Sequence, residues 1–353
     1  MTLIQKLQLN NFRNFESFSV DFSPGISLII GPNGSGKTNL LEALSNLTPG
    51  RGIRGASAQD MCKFEANGWN IDSVLETKLG PANLRLGYDL FTKRKNLEFN
   101  SSKITLSELS NFTSAIWLTP QMDGLFIGPA SDRRRFLDRL VFANFSNHAS
   151  IVMRYEKLQK ERMHILENNI SDDSWLNIVE GDIANLSVDI SKNRMATIDL
   201  LNNNIQNIDS TFPKARLTLV SPIIEYLDNI DQIIDKLRSY RFQDRESGKT
   251  NFGANKADFS TYYGHDNIIA HYCSTGQQKS LLISILMAHQ IAISNKDSIM
   301  PVLLLDEVFV HLDDAKRACL AEFLIVNKAQ VLITSTESEL ALLLKNHNLI
   351  SFE

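Results

Sequence analysis

The chain has 353 residues, which is long for one compact domain and sufficient for two, and its formal net charge at pH 7 is -4. An acidic balance excludes a protein that coats nucleic acid with its whole surface, so any nucleic-acid site must be a local basic patch. Three scattered cysteines without C-x-x-C spacing exclude a disulfide framework and a zinc knuckle.

Neither a secretion signal nor a membrane span is predicted. The N-terminal residues alternate between apolar and polar and lack the basic-then-apolar pattern of a signal peptide. The longest largely apolar run, Leu281 to Ala288, is far shorter than the ~18 residues that a membrane span requires. We therefore expect a soluble, cytoplasmic protein in a reducing compartment, without a membrane partner.

The N-terminal third predicts strands around one strand-loop-helix unit. Short β-favouring runs occupy residues 4–30 and are divided by a Pro-Gly turn at positions 24 and 25. The following segment, NLLEALSNL, carries leucines at helical spacing, which places a loop at residues 31–38 between a strand and a helix. Residues 68–118 predict further strands, with TKRKN at 92–96 as a hairpin turn.

The middle of the chain predicts long helices between residues 130 and 205. An apolar stripe with heptad spacing comprises Leu176, Val179, Ile183, Leu186 and Ile190. Two helices of about 25 residues, each roughly 40 Å long, would form a short arm. An ordinary helical subdomain that packs on itself fits the pattern equally well. After a Gly-, Asn- and Asp-rich stretch at 245–267, two apolar runs predict buried strands.

The segment GPNGSGKT, residues 31–38, matches the phosphate-binding pattern G-x-x-x-x-G-K-[ST] in the right context, between a strand and a helix. Glycines let successive N–H groups face a phosphate, Lys37 contacts the β- and γ-phosphates, and the Thr38 hydroxyl ligates Mg²⁺. A plain glycine turn before a helix would leave Lys37 unexplained. The predicted ATP-binding residues are Gly31, Pro32, Asn33, Gly34, Ser35, Gly36, Lys37 and Thr38.

The segment PVLLLDEV, residues 301–308, is an aliphatic run that ends in two carboxylates. It predicts a buried parallel strand that delivers both acids to the carboxyl edge of a sheet. Asp306 would hold Mg²⁺, through water, and Glu307 would polarise the attacking water. A strand followed by a charged turn would explain this segment alone, but its pairing with the phosphate loop favours ATP hydrolysis with Lys37, Asp306 and Glu307 as the catalytic residues.

A third motif, CSTGQQ at 273–278, opens a strongly apolar helix. By itself, a Ser or Thr before a helix is a common N-cap. Residues 273–277 nevertheless resemble the LSGGQ-type signature of ABC ATPases, and HLDD at 311–314 resembles their D-loop. In the ABC arrangement such a helix N-terminus offers N–H groups and a hydroxyl to a γ-phosphate on the partner subunit, so it need not be buried in its own fold.

The chain as a whole resembles the RecF family of bacterial DNA replication and repair ATPases and, more loosely, the heads of SMC proteins. The resemblance lies in LQLNNFRNFESFSVDFSPGISLIIGPNGSGKTNLLEALSNLTPGRGIRG at 7–55, TPQMDGLFIGPASDRRRFLDRLV at 119–141, CSTGQQKSLLISILMAHQ at 273–290 and LLLDEVFVHLDD at 303–314. It implies an α/β ABC-type P-loop ATPase head with a mixed β-sheet and a helical second lobe inserted between the phosphate loop and the signature. The implied domains are 1–120 and 265–353 for the two parts of the ATPase lobe and 121–264 for the helical lobe.

The resemblance also implies a function and residue roles. The family dimerises on ATP, binds DNA at gaps or at single-strand/double-strand junctions, and helps RecO and RecR to load RecA. Carried over residue by residue, Asp306 and Glu307 are the Walker B pair. The remaining implied nucleotide contacts are the signature residues Ser274, Gly276 and Gln277, the D-loop acid Asp313, and Arg13, Asn14 and Gln121. Gln121, as the Q-loop residue, would join Thr38 and Asp306 at the Mg²⁺ ion.

Two segments depart from the family pattern. GANKADF at 253–259 stands where the family usually has Gly-Pro-His-Arg-Asp-Asp-Phe, and the sequence assigns this loop no function. LITSTE at 332–337 lacks the switch histidine of transporter-type ABC ATPases, which leaves sensing of the γ-phosphate to Thr or Ser and implies slow turnover.

An alternative function is the nucleotide-binding ATPase subunit of another ABC or SMC-like system, either a transporter or a nuclease partner. In transporter subunits the phosphate loop and the signature are usually much closer in sequence than the 237 positions that separate Lys37 from Ser274. Those subunits are also expected to carry the switch histidine.

Two basic segments are candidate DNA contacts. Residues 130–165 hold eight basic and four acidic side chains, and the candidate contacts there are Arg133, Arg134, Arg135 and Arg139. A run of arginines is more often solvated or internally paired, so this segment could equally be structural. KRK at 93–95 is the second candidate. Because no base-reading motif is present, we expect recognition of the DNA backbone and shape.

Overall fold

A computed structural model describes residues 3–50, 52–77, 80–168, 173–264, 267–294, 300–327, 329–345 and 347–352. The strands are β1 (Leu3–Phe12), β2 (Phe15–Asp21), β3 (Ile26–Ile30), β4 (Gly68–Thr77), β5 (Gly80–Asp89), β6 (Arg94–Phe99), β7 (Ser102–Lys103), β8 (Ala115–Leu118), β9 (Arg216–Val220), β10 (Asp258–Tyr263), β11 (Ile268–Ile269), β12 (Val302–Asp306), β13 (Val331–Ser335) and β14 (His347–Ser351). The helices are α1 (Lys37–Asn46), α2 (Leu106–Leu109), α3 (Ala130–Asn144), α4 (His148–Glu167), α5 (Asp173–Asn207), α6 (Ile230–Ser239), α7 (Arg241–Ser247), α8 (Thr275–Ser294), α9 (Asp314–Val326) and α10 (Leu340–Leu343).

The chain divides into two compact units. Unit 1 comprises Met1–Asp123, Asp209–Pro213 and Leu282–Glu353, and unit 2 comprises Gly124–Ile208 and Lys214–Leu281. Helix α8 therefore begins in unit 2 and continues into unit 1. The domain boundaries predicted from the sequence, at 120/121 and 264/265, stay a prediction.

Unit 1 contains a five-stranded parallel sheet in the order β14-β3-β13-β12-β8. Its strands are aliphatic nearly throughout, as expected for a parallel sheet covered on both faces, and Leu28, Leu304 and Ile333 have no exposed surface. Both buried strands predicted in the C-terminal part of the chain are confirmed as β12 and β13. Because parallel strands end at a common edge, the loops after β3, β8, β12 and β13 meet there.

Unit 1 also contains a six-stranded antiparallel sheet in the order β2-β1-β4-β5-β6-β7. One face packs on the core, where Phe12 and Trp69 meet edge to face with ring centroids 5.6 Å apart. The hairpin turn predicted at 92–96 is displaced, since β6 already begins at Arg94. The turn closes earlier because the Asp89 carboxylate accepts hydrogen bonds from the Thr92 N–H (2.7 Å) and hydroxyl (2.9 Å).

Unit 2 is mainly helical and includes the three-stranded sheet β11-β10-β9. The apolar stripe predicted for the middle of the chain lies on α5 and is buried within unit 2, against residues of α4 and α6. Helix α5 has 35 residues and α4 has 20, so the predicted pair of ~25-residue helices is wrong in length. None of the helices in the described ranges is long and apolar enough to cross a membrane.

A buried charge cluster joins the helices of unit 2. The guanidinium of Arg162, which has no exposed surface, donates to Glu180 on α5 (2.9 Å), to Asp244 on α7 (2.6 Å) and to the carbonyl of Leu237 on α6 (2.8 Å). Arg241 also pairs with Glu180, and its Nη2 lies 2.6 Å from Glu180 Oε2. Each buried charge is therefore paired and hydrogen-bonded, as burial requires.

Candidate functional site

The phosphate-loop segment joins β3 to α1 at the carboxyl edge of the parallel sheet. Gly36 caps α1 with φ 108°, a left-handed backbone that favours glycine, and a Cβ there would lie 2.8 Å from both Asn14 Nδ2 and Phe15 Cζ. Pro32, Asn33 and Gly34 are exposed. The loop thus presents bare backbone beside a helix N-terminus, where N–H groups and the helix dipole favour an anion.

Two polar groups of this loop fit a phosphate. Lys37 is only 5% exposed, and its ammonium donates to the carbonyls of Gly31 (2.6 Å) and Pro32 (2.8 Å). These neutral acceptors leave a third N–H and an uncompensated positive charge, which an anion would satisfy. The Ser35 hydroxyl oxygen is buried and, among the described residues, has no hydrogen-bond partner.

Three side chains from neighbouring elements meet next to the loop. The Thr38 hydroxyl on α1 lies 3.1 and 3.2 Å from the carboxylate oxygens of Asp306, the last residue of β12. Asp306 also accepts a 2.6 Å hydrogen bond from the hydroxyl of Thr334, its register partner on β13. The sequence analysis left the sensing residue open between Thr and Ser, and the structure puts Thr334 in contact with the acid.

The donor set around Asp306 suits Mg²⁺ bound together with a phosphate. The Thr38 hydroxyl and the Asp306 carboxylate, which lie 3.1–3.2 Å apart, would hold the ion together with phosphate oxygens, Asp306 through water. Within the described ranges, no group of three or more His, Cys, Asp or Glu side chains could hold a metal by itself. Mg²⁺ is usually bound by one or two protein oxygens plus substrate phosphates and water, so this set fits it.

Glu307 lies just past the end of β12 and is partly buried. Its φ of 49° is left-handed, and its N–H donates to both the carbonyl and the hydroxyl of Thr334, each at 3.2 Å. A non-glycine residue in this region carries backbone strain, of the kind that is concentrated at functional sites. This turn, rather than the alternation of a strand, therefore sets the direction of the Glu307 side chain.

Arg13 and Asn14, the two predicted nucleotide contacts from the β1–β2 turn, differ in their surroundings. Arg13 donates to both carboxylate oxygens of Glu42 (2.9 and 2.6 Å) and to the Asp60 carbonyl (2.6 Å). Asn14 lies beside the loop, where its side-chain oxygen accepts a 2.7 Å bond from Asn39. The guanidinium of Arg13 is thus already hydrogen-bonded to Glu42 of α1 in this structure.

Glu42 is a residue of the site that the sequence analysis missed. It is completely buried on α1 and also pairs with Arg54 at 2.8 Å. The sequence did contain one indication of this buried acid, because Glu42 lies among the apolar residues of NLLEALSNL. A buried carboxylate requires cationic partners, but the sequence does not reveal which ones.

Gln121 lies in the 3₁₀ turn Pro120–Gly124 that follows β8, and it is exposed. Leu118 at the end of β8 pairs with Leu305 of β12, so Gln121 and Asp306 lie at the same edge of the sheet. Its contact with Mg²⁺ stays a prediction.

The signature segment forms the N-terminus of α8. The Ser274 hydroxyl accepts a hydrogen bond from the Gln277 N–H (3.3 Å), and the Gln277 side chain accepts one from the Ser274 N–H (2.9 Å). These two hydrogen bonds form a capping box, so the interpretation of Ser274 as an N-cap is correct. Ser274, Thr275 and Gln277 are exposed, whereas the helix is buried from Gln278 to Gln290. The Ser274 hydroxyl, as an acceptor, keeps its own hydrogen for donation.

Asp313, the D-loop acid, caps α9 by accepting a 2.9 Å bond from the Lys316 N–H. The Lys316 side chain also donates to it (2.8 Å), and these hydrogen bonds hold the pKa of Asp313 below its usual value. Asp313 is exposed and charged at the start of a helix in unit 1.

The candidate DNA contacts on α3 are largely engaged inside unit 2. Arg133 donates to both carboxylate oxygens of Asp258 (2.8 and 2.7 Å) and to the Gly128 carbonyl (2.6 Å), while Arg134 donates to the Ala257 carbonyl (2.8 Å). Arg139 is partly buried, and Arg135 is exposed with an ion pair to Asp132 at 3.3 Å. The interpretation of this run as internally paired is therefore correct for Arg133 and Arg134.

These contacts also give the divergent loop at 253–259 a structural role. Asp258 and the Ala257 carbonyl hold the arginines of α3, and the Ala254 carbonyl accepts a 2.8 Å bond from Arg194 of α5. The loop thus fixes α3 and α5 to the start of β10.

The family model described as the RecF/RecN/SMC N terminal domain matches residues 3–351. The DNA replication and repair protein RecF of Rickettsia akari (strain Hartford) is 41% identical over 341 residues, which cover 95% of each chain. The RecF protein of Rickettsia canadensis (strain McKiel) is 42% identical over the same length, with 95% of each chain covered.

Solved structures share the fold. A recombination mediator protein RecF with ATP, from the RecFOR pathway, superposes with a TM-score of 0.82 at 22% identity over 96% of this chain and 92% of its own. An Smc head domain from Pyrococcus furiosus has a TM-score of 0.58 at 17% identity and covers 100% of this chain and 94% of its own. The predicted α/β head fold is confirmed, with the parallel and antiparallel strands of unit 1 in separate sheets.

Proposed function

The chain belongs to the RecF family of DNA replication and repair proteins, and we propose that it is an ATPase that dimerises on ATP and binds DNA at gaps or single-strand/double-strand junctions. The observation that carries the proposal is the convergence of the buried Lys37 ammonium, the Thr38 hydroxyl and the Asp306 carboxylate at one edge of the parallel sheet.

Nucleotide binding would use the loop and its helix. The N–H groups of residues 34–38 face the phosphates, and Lys37 exchanges its bonds to the Gly31 and Pro32 carbonyls for phosphate oxygens. Because Lys37 is nearly buried, its attraction to a phosphate is weakly screened by water. Ser35 offers a further hydroxyl.

Hydrolysis would be carried by the residues after β12. Thr38 and Asp306 hold Mg²⁺, which neutralises charge on the phosphates when it is bound. Glu307 orients and polarises the attacking water, and Thr334 keeps Asp306 in place through its 2.6 Å hydrogen bond. A hydroxyl at this position is a weaker acid-base group than a histidine, which supports slow turnover.

Dimerisation would complete the site. The exposed tip of α8, with Ser274, Gly276 and Gln277, offers a hydroxyl and helix N–H groups without an anion of its own. A γ-phosphate bound to a second copy of the chain would supply that anion. The exposed D-loop acid Asp313 belongs to the same proposed interface.

The proposed partners beyond DNA are RecO and RecR, with which the protein would assist RecA loading. This part of the proposal is supported by identity near 41% to RecF proteins over 95% of the chain and by the likeness to a RecF from the RecFOR pathway.

The test of ATP binding and hydrolysis uses two substitutions with opposite outcomes. Lys37→Met should abolish binding of a fluorescent ATP analogue, whereas Glu307→Gln should keep ATP bound and trap a dimer, as seen by light scattering. ATP hydrolysis by the Glu307 variant at the parental rate would disprove its role as the water-polarising residue.

The dimer test uses Ser274→Arg, which should spare ATP binding but leave the mass of a monomer with ATP. Ser274→Asn is the matched control, because asparagine is an equally good N-cap. The thermal midpoints of both variants should show that they are folded at the temperature of the light-scattering measurement. At that temperature the Arg variant should fail to dimerise. A dimer formed by Ser274→Arg would contradict the proposed interface.

The DNA test is a mobility shift of a gapped duplex with ATP and Mg²⁺. The parent protein should shift it and the Lys37→Met variant should not. Failure of the parent protein to bind any gapped or tailed duplex would overturn the DNA part of the proposal.

A further inference from the structure

The outer face of the six-stranded sheet in unit 1 carries a groove of about 960 Å³ that the nucleotide chemistry does not use. Its floor is a row of three directly opposed residues, Asn70 on β4, Gly87 on β5 and Asn96 on β6. A Cβ at Gly87 would lie 2.5 Å from Asn70 Oδ1, so the close approach of this amide requires glycine. The floor is therefore flat, polar and uncharged, with amide groups that can bond to base edges.

Three cations line this groove on the hairpins that join β5, β6 and β7, and a fourth, Lys93, lies beside them in the turn before β6. These hairpin cations are Lys93, Arg94, Lys95 and Lys103. All four are exposed, and in the part of the chain that the structure describes no ion pair engages them. The nearby acids Asp89 and Glu98 accept hydrogen bonds from Thr92 and Asn96. The hairpin cations thus offer positive charge to an external anion, offset in part by Glu65, Asp89 and Glu98, which also line the groove.

One phenylalanine ring lines the same groove, and a second lies in the adjoining hairpin turn. Phe64, which lines it, is 87% exposed, and Phe91, in the turn between β5 and β6, is 77% exposed. Rings this exposed gain nothing from the hydrophobic effect within their own fold, so they are suited to a flat ligand that stacks on them. Aromatic rings interleaved with cations around a groove are the pattern of single-strand nucleic-acid binding.

We infer that this groove binds single-stranded DNA, with phosphates beside the hairpin cations and bases stacked on Phe64 and Phe91. The inference rests on the proposed function as a DNA-binding protein and assigns the single-stranded side of a junction to unit 1. A duplex fits less well because its bases are already stacked on each other. An acidic peptide would use the cations but would gain nothing from the rings.

The test measures fluorescence anisotropy of a labelled oligothymidine and of a duplex of equal length on the full chain with ATP and Mg²⁺. The double variant Arg94→Gln/Lys95→Gln should bind the oligothymidine more weakly, and the slope of log K against log salt should become shallower by about 1.4, from ~0.7 per phosphate contact. Phe64→Ala and Phe91→Ala should each weaken single-strand binding about tenfold. Phe91→Tyr, which keeps a ring, should bind as the parent does, and duplex binding by the Phe variants should be unchanged.

Lys236→Gln/Lys249→Gln, which removes two exposed cations from unit 2, is the charge-matched control and should leave single-strand binding and its salt slope unchanged. Parental binding by the hairpin and Phe variants would overturn the inference, as would an equal loss on the single strand and the duplex. An effect of the cation variant without any effect of the Phe variants would also overturn it in favour of a general anion site.

Failure of the inference is distinguishable from failure of the proposed function. If the parent protein binds oligothymidine and the groove variants bind it equally, only the groove is wrong. If the parent protein with ATP binds no DNA of any kind, both are wrong. Binding of the fluorescent ATP analogue should be parental in every groove variant, because none of these residues lies in the phosphate loop.

Discussion

The two basic runs of this chain, RRR at 133–135 and KRK at 93–95, carry the same charge in opposite surroundings. On α3, Arg133 and Arg134 donate to Asp258 and to backbone carbonyls within unit 2. On the β5–β6 hairpin of unit 1, the three cations are exposed, and among the described residues none has an ion-pair partner. The first run holds a fold together, whereas the second is available to a ligand.

The difference teaches that the partners which the fold supplies, rather than charge alone, decide how a cation is used. The arginine fork at Arg133 matches a carboxylate and three carbonyls at once, which a lysine ammonium could not do. The hairpin instead combines its cations with the exposed ring of Phe91. Substitutions around α3 should therefore change stability, whereas substitutions on the hairpin should change binding of the proposed ligand.

The largest effect is expected where α3 meets α5. Arg194 donates to both carboxylate oxygens of the buried Asp138 at 2.8 Å. Arg194→Met should lower the free energy of unfolding by about 3–5 kcal/mol, because it leaves a buried carboxylate without its cation. Urea unfolding measures this loss. Arg135→Met is an exposed control, which should change the free energy of unfolding by less than about 0.5 kcal/mol. A loss as small as that of the control would mean that the cluster does not stabilise unit 2.

A second prediction concerns acid pH. Burial alone would raise the pKa of Asp138, but the Arg194 charge and a hydrogen bond from His148 hold it well below its ordinary value of 3.8. A depressed pKa contributes stability that is present above the unfolded value and lost as the pH falls through the folded value. Asp138→Asn should therefore be less stable than the parent at neutral pH and show a flatter loss below about pH 4. Parallel pH profiles of the two proteins would contradict this.

A smaller effect is expected at the partly exposed pair on α3. Arg133→Gln should cost about 1–2 kcal/mol of unfolding free energy, since it removes charge-assisted hydrogen bonds to Asp258. Single-strand binding should stay at the parental value, because Arg133 is already occupied. A double-mutant cycle with Asp258→Asn measures the coupling. A loss of DNA affinity without a loss of stability would reverse the roles assigned to the two runs.

The smallest effect on stability is expected on the hairpin. Arg94→Gln/Lys95→Gln should change the free energy of unfolding by less than about 0.5 kcal/mol, because both side chains are exposed and, within the described ranges, unpaired. Thermal unfolding of this variant beside Arg133→Gln checks the contrast directly. A destabilisation equal to that of Arg133→Gln would show that the hairpin cations have a structural role.

Part of the fold and of the site was predictable because it is encoded locally. The loop at 31–38, the strand ending at Asp306 and the apolar stripe of α5 follow from glycine spacing and hydrophobic periodicity, which act over neighbouring residues. The capping box of Ser274 and Gln277 was also available in the sequence as S-x-x-Q. The exact ends of elements were less predictable, because a single Asp89–Thr92 contact moved the start of β6.

The sequence by itself determined that this chain carries a phosphate-loop pattern between a strand and a helix, ends a buried strand in two acids and carries two basic runs. Only the tertiary structure decided which run is engaged. Arg133 and Asp258 are 125 positions apart, and Arg13 and Glu42 are 29 positions apart. A charged side chain has the same local chemistry in either case, and its role depends on which distant oxygen the fold brings within hydrogen-bonding distance.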